Sequence, residues 1–147
     1  MADQLTESLR GAGLRVTAPR IAVLETLRRE SHVSADAVAA QTRRRLSTLS
    51  TQAVYDILRA FTAAGLIRRI EPAGSAAVYE TRVGDNHHHV VCRLCGAIAD
   101  VDCAVGHAPC LDPPSAHGFV VDEAEVTYWG LCQSCTATSA RTAEERP

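Results

Sequence analysis

Ser50-Thr51-Gln52-Ala53-Val54-Tyr55-Asp56-Ile57-Leu58-Arg59-Ala60-Phe61-Thr62-Ala63-Ala64-Gly65-Leu66-Ile67-Arg68-Arg69-Ile70 reads as a helix, its stop and the strand that follows. The helix starts near Ser50-Thr51, and Gly65 suits a left-handed C-terminal cap. Between them Val54, Ile57, Leu58 and Phe61 form one apolar stripe, while Gln52, Tyr55, Asp56, Arg59 and Thr62 occupy the other face. After Gly65 the period shortens. Leu66–Ile70 and Ala76–Glu80 flank Pro72-Ala73-Gly74-Ser75, a turn between two short strands.

Two more helices precede this unit. Thr17-Ala18-Pro19-Arg20 opens one, with Thr17 as N-cap, Pro19 in the first turn, and Ile21, Leu24 and Leu27 on one side. Ser34 caps another, in which Ala35, Val38 and Ala39 repeat before Arg43-Arg44-Arg45. Helices followed by a hairpin are the layout of a winged helix-turn-helix. There the helix from Ser50 lies in the major groove with its N-terminal half facing base edges, and nearby arginines neutralise phosphates. Tyr55 would stack on a base or touch a thymine methyl, and Arg59 lies one turn on. Winged helices also serve as protein-interaction modules, so the pattern alone leaves both uses open.

Composition divides the chain in two. Of 147 residues, 46% are hydrophobic and 22% charged, a globular balance. Residues 1–82 hold 12 Arg against 8 acids, a net of +4, whereas 83–147 hold 3 Arg against 9 acids, a net of -6. All six Cys and five of the six His lie in the acidic part. This asymmetry points to nucleic acid for the first part and metal for the second. No apolar run reaches the roughly 18 residues of a membrane span, and Met1-Ala2-Asp3-Gln4 starts no secretion signal, so a cytoplasmic protein with reduced thiols is expected.

Cys92-x-x-Cys95 and Cys132-x-x-Cys135 form two knuckles separated by 36 residues. Two intervening residues let both thiolates of a knuckle converge on one tetrahedral ion, so the pair supplies four ligands for structural Zn2+. The gap exceeds the roughly 15 to 20 residues of a compact ribbon, so the intervening chain must form structure of its own. A redox Cys-x-x-Cys competes, but it does not explain why there are two. Cys103 and Cys110 match neither knuckle and read as buried residues, an oxidisable thiol pair or partial ligands. In His87-His88-His89, an extended chain would turn His87 and His89 to one side, a half-site for a transition metal with Glu80 and Asp100 as the nearest carboxylates; a solvated loop is the competing reading. No His-Glu-x-x-His, P-loop or Gly-x-Ser-x-Gly occurs, and nothing argues for catalysis.

Taken in order, Gly13-Leu14-Arg15-Val16-Thr17-Ala18-Pro19-Arg20, Thr51-Gln52-Ala53-Val54-Tyr55, Tyr79-Glu80, His87-His88-His89-Val90-Val91-Cys92-x-x-Cys95-Gly96 and Tyr128-x-Gly130-x-Cys132-x-x-Cys135 resemble the ferric uptake regulator family of metal-dependent bacterial repressors. The likeness runs from about Leu5 to Cys135. Arg82–Asn86, Ala99–Cys103 and Asp122–Gly130 look like its actinobacterial branch, associated with repression of a catalase-peroxidase gene. The resemblance implies an α+β fold: an N-terminal winged helix-turn-helix (1–82), a hinge (83–88) and a small C-terminal α/β dimerisation domain with a zinc site (89–138). A disordered tail (139–147) is expected beyond it.

By resemblance, Cys92, Cys95, Cys132 and Cys135 hold the structural zinc. A regulatory ion, Fe2+ or Mn2+ with Zn2+ as a further candidate, is held by His32, Glu80, His87, His89 and Asp100. Double-stranded DNA is expected to be met by Arg15, Arg20, Gln52, Tyr55 and Arg59, and a homodimer without membrane contact is expected. With Fe(II), peroxide would oxidise a ligand imidazole, His32 or His87, and release the operator; thiol oxidation at Cys103, Cys110 or the knuckles is the alternative sensor. An iron- or zinc-homeostasis repressor is the alternative function. The chain also departs from its relatives. A further family site would fall near Asn86, His88, His107 and Ala124, of which Asn86 and Ala124 match poorly. The usual tyrosine-arginine pair on the recognition helix is here Tyr55-Asp56. Pro109, Pro113 and Pro114 predict a short or irregular element in place of a helix.

Overall fold

Three hydroxyl caps fix where the helices of the first unit begin. In the computed structural model, which describes residues 2–103, 115–121 and 124–144, Thr17 Oγ1 accepts from the Arg20 N–H at 3.4 Å, Ser34 Oγ from Ala37 at 3.2 Å and Ser50 Oγ from Ala53 at 3.1 Å. Each satisfies one of the N–H groups that a helix start leaves without an intrahelical partner. They open α2 (Ala18–Arg29), α3 (Ala35–Arg43) and α4 (Thr51–Ala63). The α4 stop is a paired one: Leu66 N–H reaches the Phe61 carbonyl at 2.9 Å and Gly65 N–H the Thr62 carbonyl at 3.0 Å, with Gly65 at φ +66°. A Cβ on Gly65 would meet nothing within 4 Å, so its backbone conformation alone opposes a side chain. Gly65→Ala should therefore lower stability by about 1 kcal/mol, read as an earlier urea midpoint with an unchanged slope.

The chain divides at Gly84 and Asp85 into two compact units. In the first, Leu9, Val23, Leu24, Leu27, Val38, Ala39, Val54, Leu58 and Phe61 form a closed apolar core. The Thr26 and Thr42 hydroxyls, 3.3 Å apart, pair within it, so neither is buried unsatisfied. A two-residue strand β1 (Val33–Ser34), β2 (Arg68–Ile70) and β3 (Val78–Glu80) make an antiparallel sheet in the order β1-β3-β2. Helices plus this hairpin are the winged helix expected from sequence. Both hairpin strands are shorter than 66–70 and 76–80, and Ile57 is only half-buried. Helix α1 (Ala2–Gly11), absent from the sequence reading, closes the core with Leu5 and Leu9.

In the second unit β4 (His87–Cys92) is central, antiparallel to β5 (Ile98–Asp102) and parallel to β6 (Thr127–Gly130), and α5 (Gln133–Glu144) follows. Two boundaries change. His87 and His88 belong to β4 rather than to a hinge at 83–88, because ladder pairing with Asp102 and Val101 makes them strand. Helix α5 continues past 138, so 139–144 are helix rather than disordered tail. Cys110, His107, Pro109, Pro113, Pro114 and 145–147 lie outside the described residues. No helix among the described residues is long and apolar enough to cross a membrane.

Candidate metal centres and nucleic-acid interface

The parallel β4/β6 register sets Cys92 opposite Gly130, so Cys132, two residues on, arrives beside the turn that carries Cys95. That turn is closed by Gly96 N–H to the Cys92 carbonyl (2.9 Å) and Cys92 N–H to the Ala97 carbonyl (2.9 Å). Cys135 sits in the first turn of α5. The result brings all four sequence-predicted thiols together: Sγ atoms of Cys92, Cys95, Cys132 and Cys135 lie within 4.8 Å of one another, with Cys95 and Cys132 at 3.7 Å. The cluster is electrostatically uneven. Backbone N–H groups, including that of Cys132 at 3.3 Å, draw the Cys92 thiol down to about 6, while hydrogen bonds to the Cys132 and Cys95 side chains push Cys135 up to about 12. Four adjacent thiolates repel, so a dication is what would let all four ionise; four sulfurs within tetrahedral reach fit Zn2+.

The remaining predicted ligands fall into two groups, one in each unit. In the second unit His87, His88 and His89 are all buried, which excludes a solvated loop. Strand alternation puts His87 and His89 on one face, ring centroids 4.9 Å apart, and His88 on the other against Tyr128. Asp100 faces His89 across the ladder, its Oδ1 3.6 Å from His89 Nε2 and 3.9 Å from His87 Nε2. Asp85, which the sequence reading passed over, holds His87 Nδ1 at 2.6 Å. A carboxylate only accepts, so His87 donates from Nδ1, which leaves Nε2 facing Asp100. The only local signal was proximity: Asp85 lies two residues before His87, at a bend that precedes β4.

In the first unit β1 pairs with β3 so that Val33 faces Tyr79 and Ser34 faces Val78, and the turn before β1 brings His32 beside Glu80. His32 Nε2 is 3.2 Å from Glu80 Oε2, and the Glu80 side chain is 1% exposed. His32 holds φ +58°, a left-handed conformation uncommon for a residue with a side chain.

Gln52, Tyr55 and Arg59 all lie on the exposed face of α4, with Asp56 among them. Arg15 is exposed, and Arg20 donates from NH1 to the Arg15 carbonyl at 2.9 Å. Cys103 follows β5 directly and stands outside the four-thiol cluster.

A family model described as the ferric uptake regulator family matches residues 11–128. The chain belongs to the ferric uptake regulator family. It is similar to "Transcriptional regulator FurA" of Mycobacterium tuberculosis, 59% identical over 130 residues covering 88% of each chain. It is 56% identical over 149 residues to "Ferric uptake regulation protein 1" of Mycolicibacterium fortuitum, covering 100% of this chain and 91% of that one. Among solved structures, the ferric uptake regulator from Pseudomonas aeruginosa with manganese is 28% identical, with a TM-score of 0.69 over 88% of this chain and 98% of its own. As a ferric uptake regulator family member, the chain is a metal-dependent transcriptional repressor and not an enzyme.

Proposed function

We propose that this family member acts in the cytoplasm as a homodimer that binds a double-stranded DNA operator through Arg15, Arg20, Gln52, Tyr55 and Arg59. A regulatory ion held jointly by His32, Glu80, His87, His89 and Asp100 gates that binding, and peroxide releases it. The expected targets are a catalase-peroxidase gene and its own. The observation that carries the reading is the orientation of His87: Asp85 fixes its tautomer and leaves Nε2 beside Asp100, the preparation a metal-binding imidazole needs.

Three imidazoles and two carboxylates are an intermediate donor set that suits Fe(II), Mn(II) or Zn(II) and is too hard for Cu(I). Two ligands come from the first unit and three from the second, so one ion favours the arrangement in which both groups reach it. Shifting such an equilibrium from 1:99 to 99:1 takes about 5.5 kcal/mol, within the range of a transition-metal site. That arrangement sets the spacing of the two α4 helices in a dimer, which must match successive major-groove faces. Bound Fe(II) supplies a peroxide-reactive centre. His32 or His87 would then take up one oxygen atom at a ring C–H while the second peroxide oxygen would leave as water, and the modified imidazole would be lost as a ligand.

Fluorescence anisotropy tests this, with DNA from upstream of the chain's own gene and zinc-containing protein handled anaerobically. Binding should require Fe(II) or Mn(II) and collapse after a peroxide pulse only in the Fe(II) form, with one added oxygen on a His32 or His87 peptide. A disulfide with zinc release would move the sensor to the thiols. Iron-dependent binding that survives peroxide would favour the second reading, an iron-homeostasis repressor, which the name of the Mycolicibacterium fortuitum relative supports.

A further inference from the structure

Asp56 places a carboxylate on the face of α4 assigned to DNA, where phosphate charge should repel it. Its oxygen Oδ1 accepts from Gln52 Nε2 at 3.1 Å, one turn before, and lies 3.5 Å from Arg59 NH1, three residues after. Side-chain exposures of 77% for Arg59 and 55% for Asp56 mean that these contacts add little to stability. A second carboxylate does the same for Tyr55 on that face, which donates its hydroxyl to Asp36 Oδ1, in the first turn of α3, at 3.1 Å. That bond, with the Asp36 charge, raises the phenol pKa above its ordinary value. Gln52, Tyr55 and Arg59 are thus each tethered by an acid.

The tether has a directional consequence. A carboxylate accepts and never donates, so Gln52 must turn its amide nitrogen toward Asp56 and its Oε1 away. Arg59 lies within ion-pair distance of the same carboxylate and keeps its N–H fork. Glutamine reads adenine with a fixed donor and acceptor, and arginine reads guanine with two parallel donors, so biasing both orientations biases which base edges they can satisfy. We propose that Asp56 sets the base preference of α4: it fixes Gln52 and Arg59 in the orientation in which they meet base edges, and its charge penalises DNA on which they find no partner. This rests on the DNA-binding reading above.

Selection from a random-sequence duplex pool with the full zinc-containing, Mn(II)-loaded chain supplies the ligand. Anisotropy then gives affinities for the selected and a scrambled duplex. The wild type should select a defined motif. Asp56→Ala should bind scrambled DNA more tightly and the selected duplex no more tightly, so that the ratio falls about tenfold. Asp56→Asn, whose amide lets Gln52 flip, should relax preference at the position under Gln52. Variants that keep the wild-type motif and ratio, or that weaken equally on both duplexes, would overturn the role of Asp56 while leaving DNA binding intact. A wild type that selects no motif would overturn the DNA-binding reading itself.

Discussion

Cys92→Ser should lose its zinc and unfold the second unit while the first remains folded. Among the described residues that unit buries only Val91 and Cys92 as apolar side chains, and three buried histidines take space that a core would fill with hydrocarbon. Burial among those residues alone does not offset their chain entropy. A structural zinc contributes about 10–16 kcal/mol in small zinc modules, comparable with the whole stability of an ordinary domain. Serine keeps the shape but does not ionise at neutral pH, and it removes the thiol that backbone N–H groups draw down to about 6. The single tryptophan of the chain, Trp129, reports the outcome locally, since it lies in β6 with the Arg93 guanidinium 5.4 Å from its ring centre. Its emission should shift to that of an exposed indole and zinc content should fall well below one per chain, while the helical signal of the first unit persists. Cys103→Ser, outside the cluster, should change neither. Full zinc and wild-type emission in Cys92→Ser would show that the four thiols are not the ligand set.

What the sequence made legible followed from chemistry with a local signature. Thr17, Ser34, Ser50 and Gly65 announce helix ends because capping is a contact over two to five residues, and the knuckles announce themselves because two thiolates converge only at a short fixed spacing. Helix α1 escaped because its buried stripe is little more than Leu5 and Leu9, too short a period to stand out. The histidine trio was ambiguous because strand burial normally reads as apolar residues; here the partners across the ladder are Asp100 and Asp102. The Asp56 tether is likewise a matter of rotamers, and rotamers leave no trace in composition. His32 was the least legible of the expected ligands. Only the family resemblance suggested it, since its meeting with Glu80 depends on a two-residue strand that pairs with the wing.

That same residue offers the sharpest test of the regulatory site. His32→Ala should weaken metal-dependent DNA binding by roughly 10- to 100-fold, the span of an ordinary coupling free energy between two sites, with zinc content and Trp129 emission unchanged. Alanine alone leaves an ambiguity, because His32 sits at φ +58° and alanine disfavours that conformation. Asparagine is among the side chains that adopt it most readily. His32→Asn therefore keeps the turn that leads into β1 and removes the imidazole. If His32 acts as a ligand, both substitutions should abolish the Mn(II) response alike, with the asparagine form more stable than the alanine form. If the turn is what matters, His32→Asn should respond to Mn(II) as the wild type does and only His32→Ala should fail. Linkage supplies an independent check: DNA that binds the metal-loaded form more tightly must tighten Mn(II) by the same factor, and that tightening should vanish in both variants together.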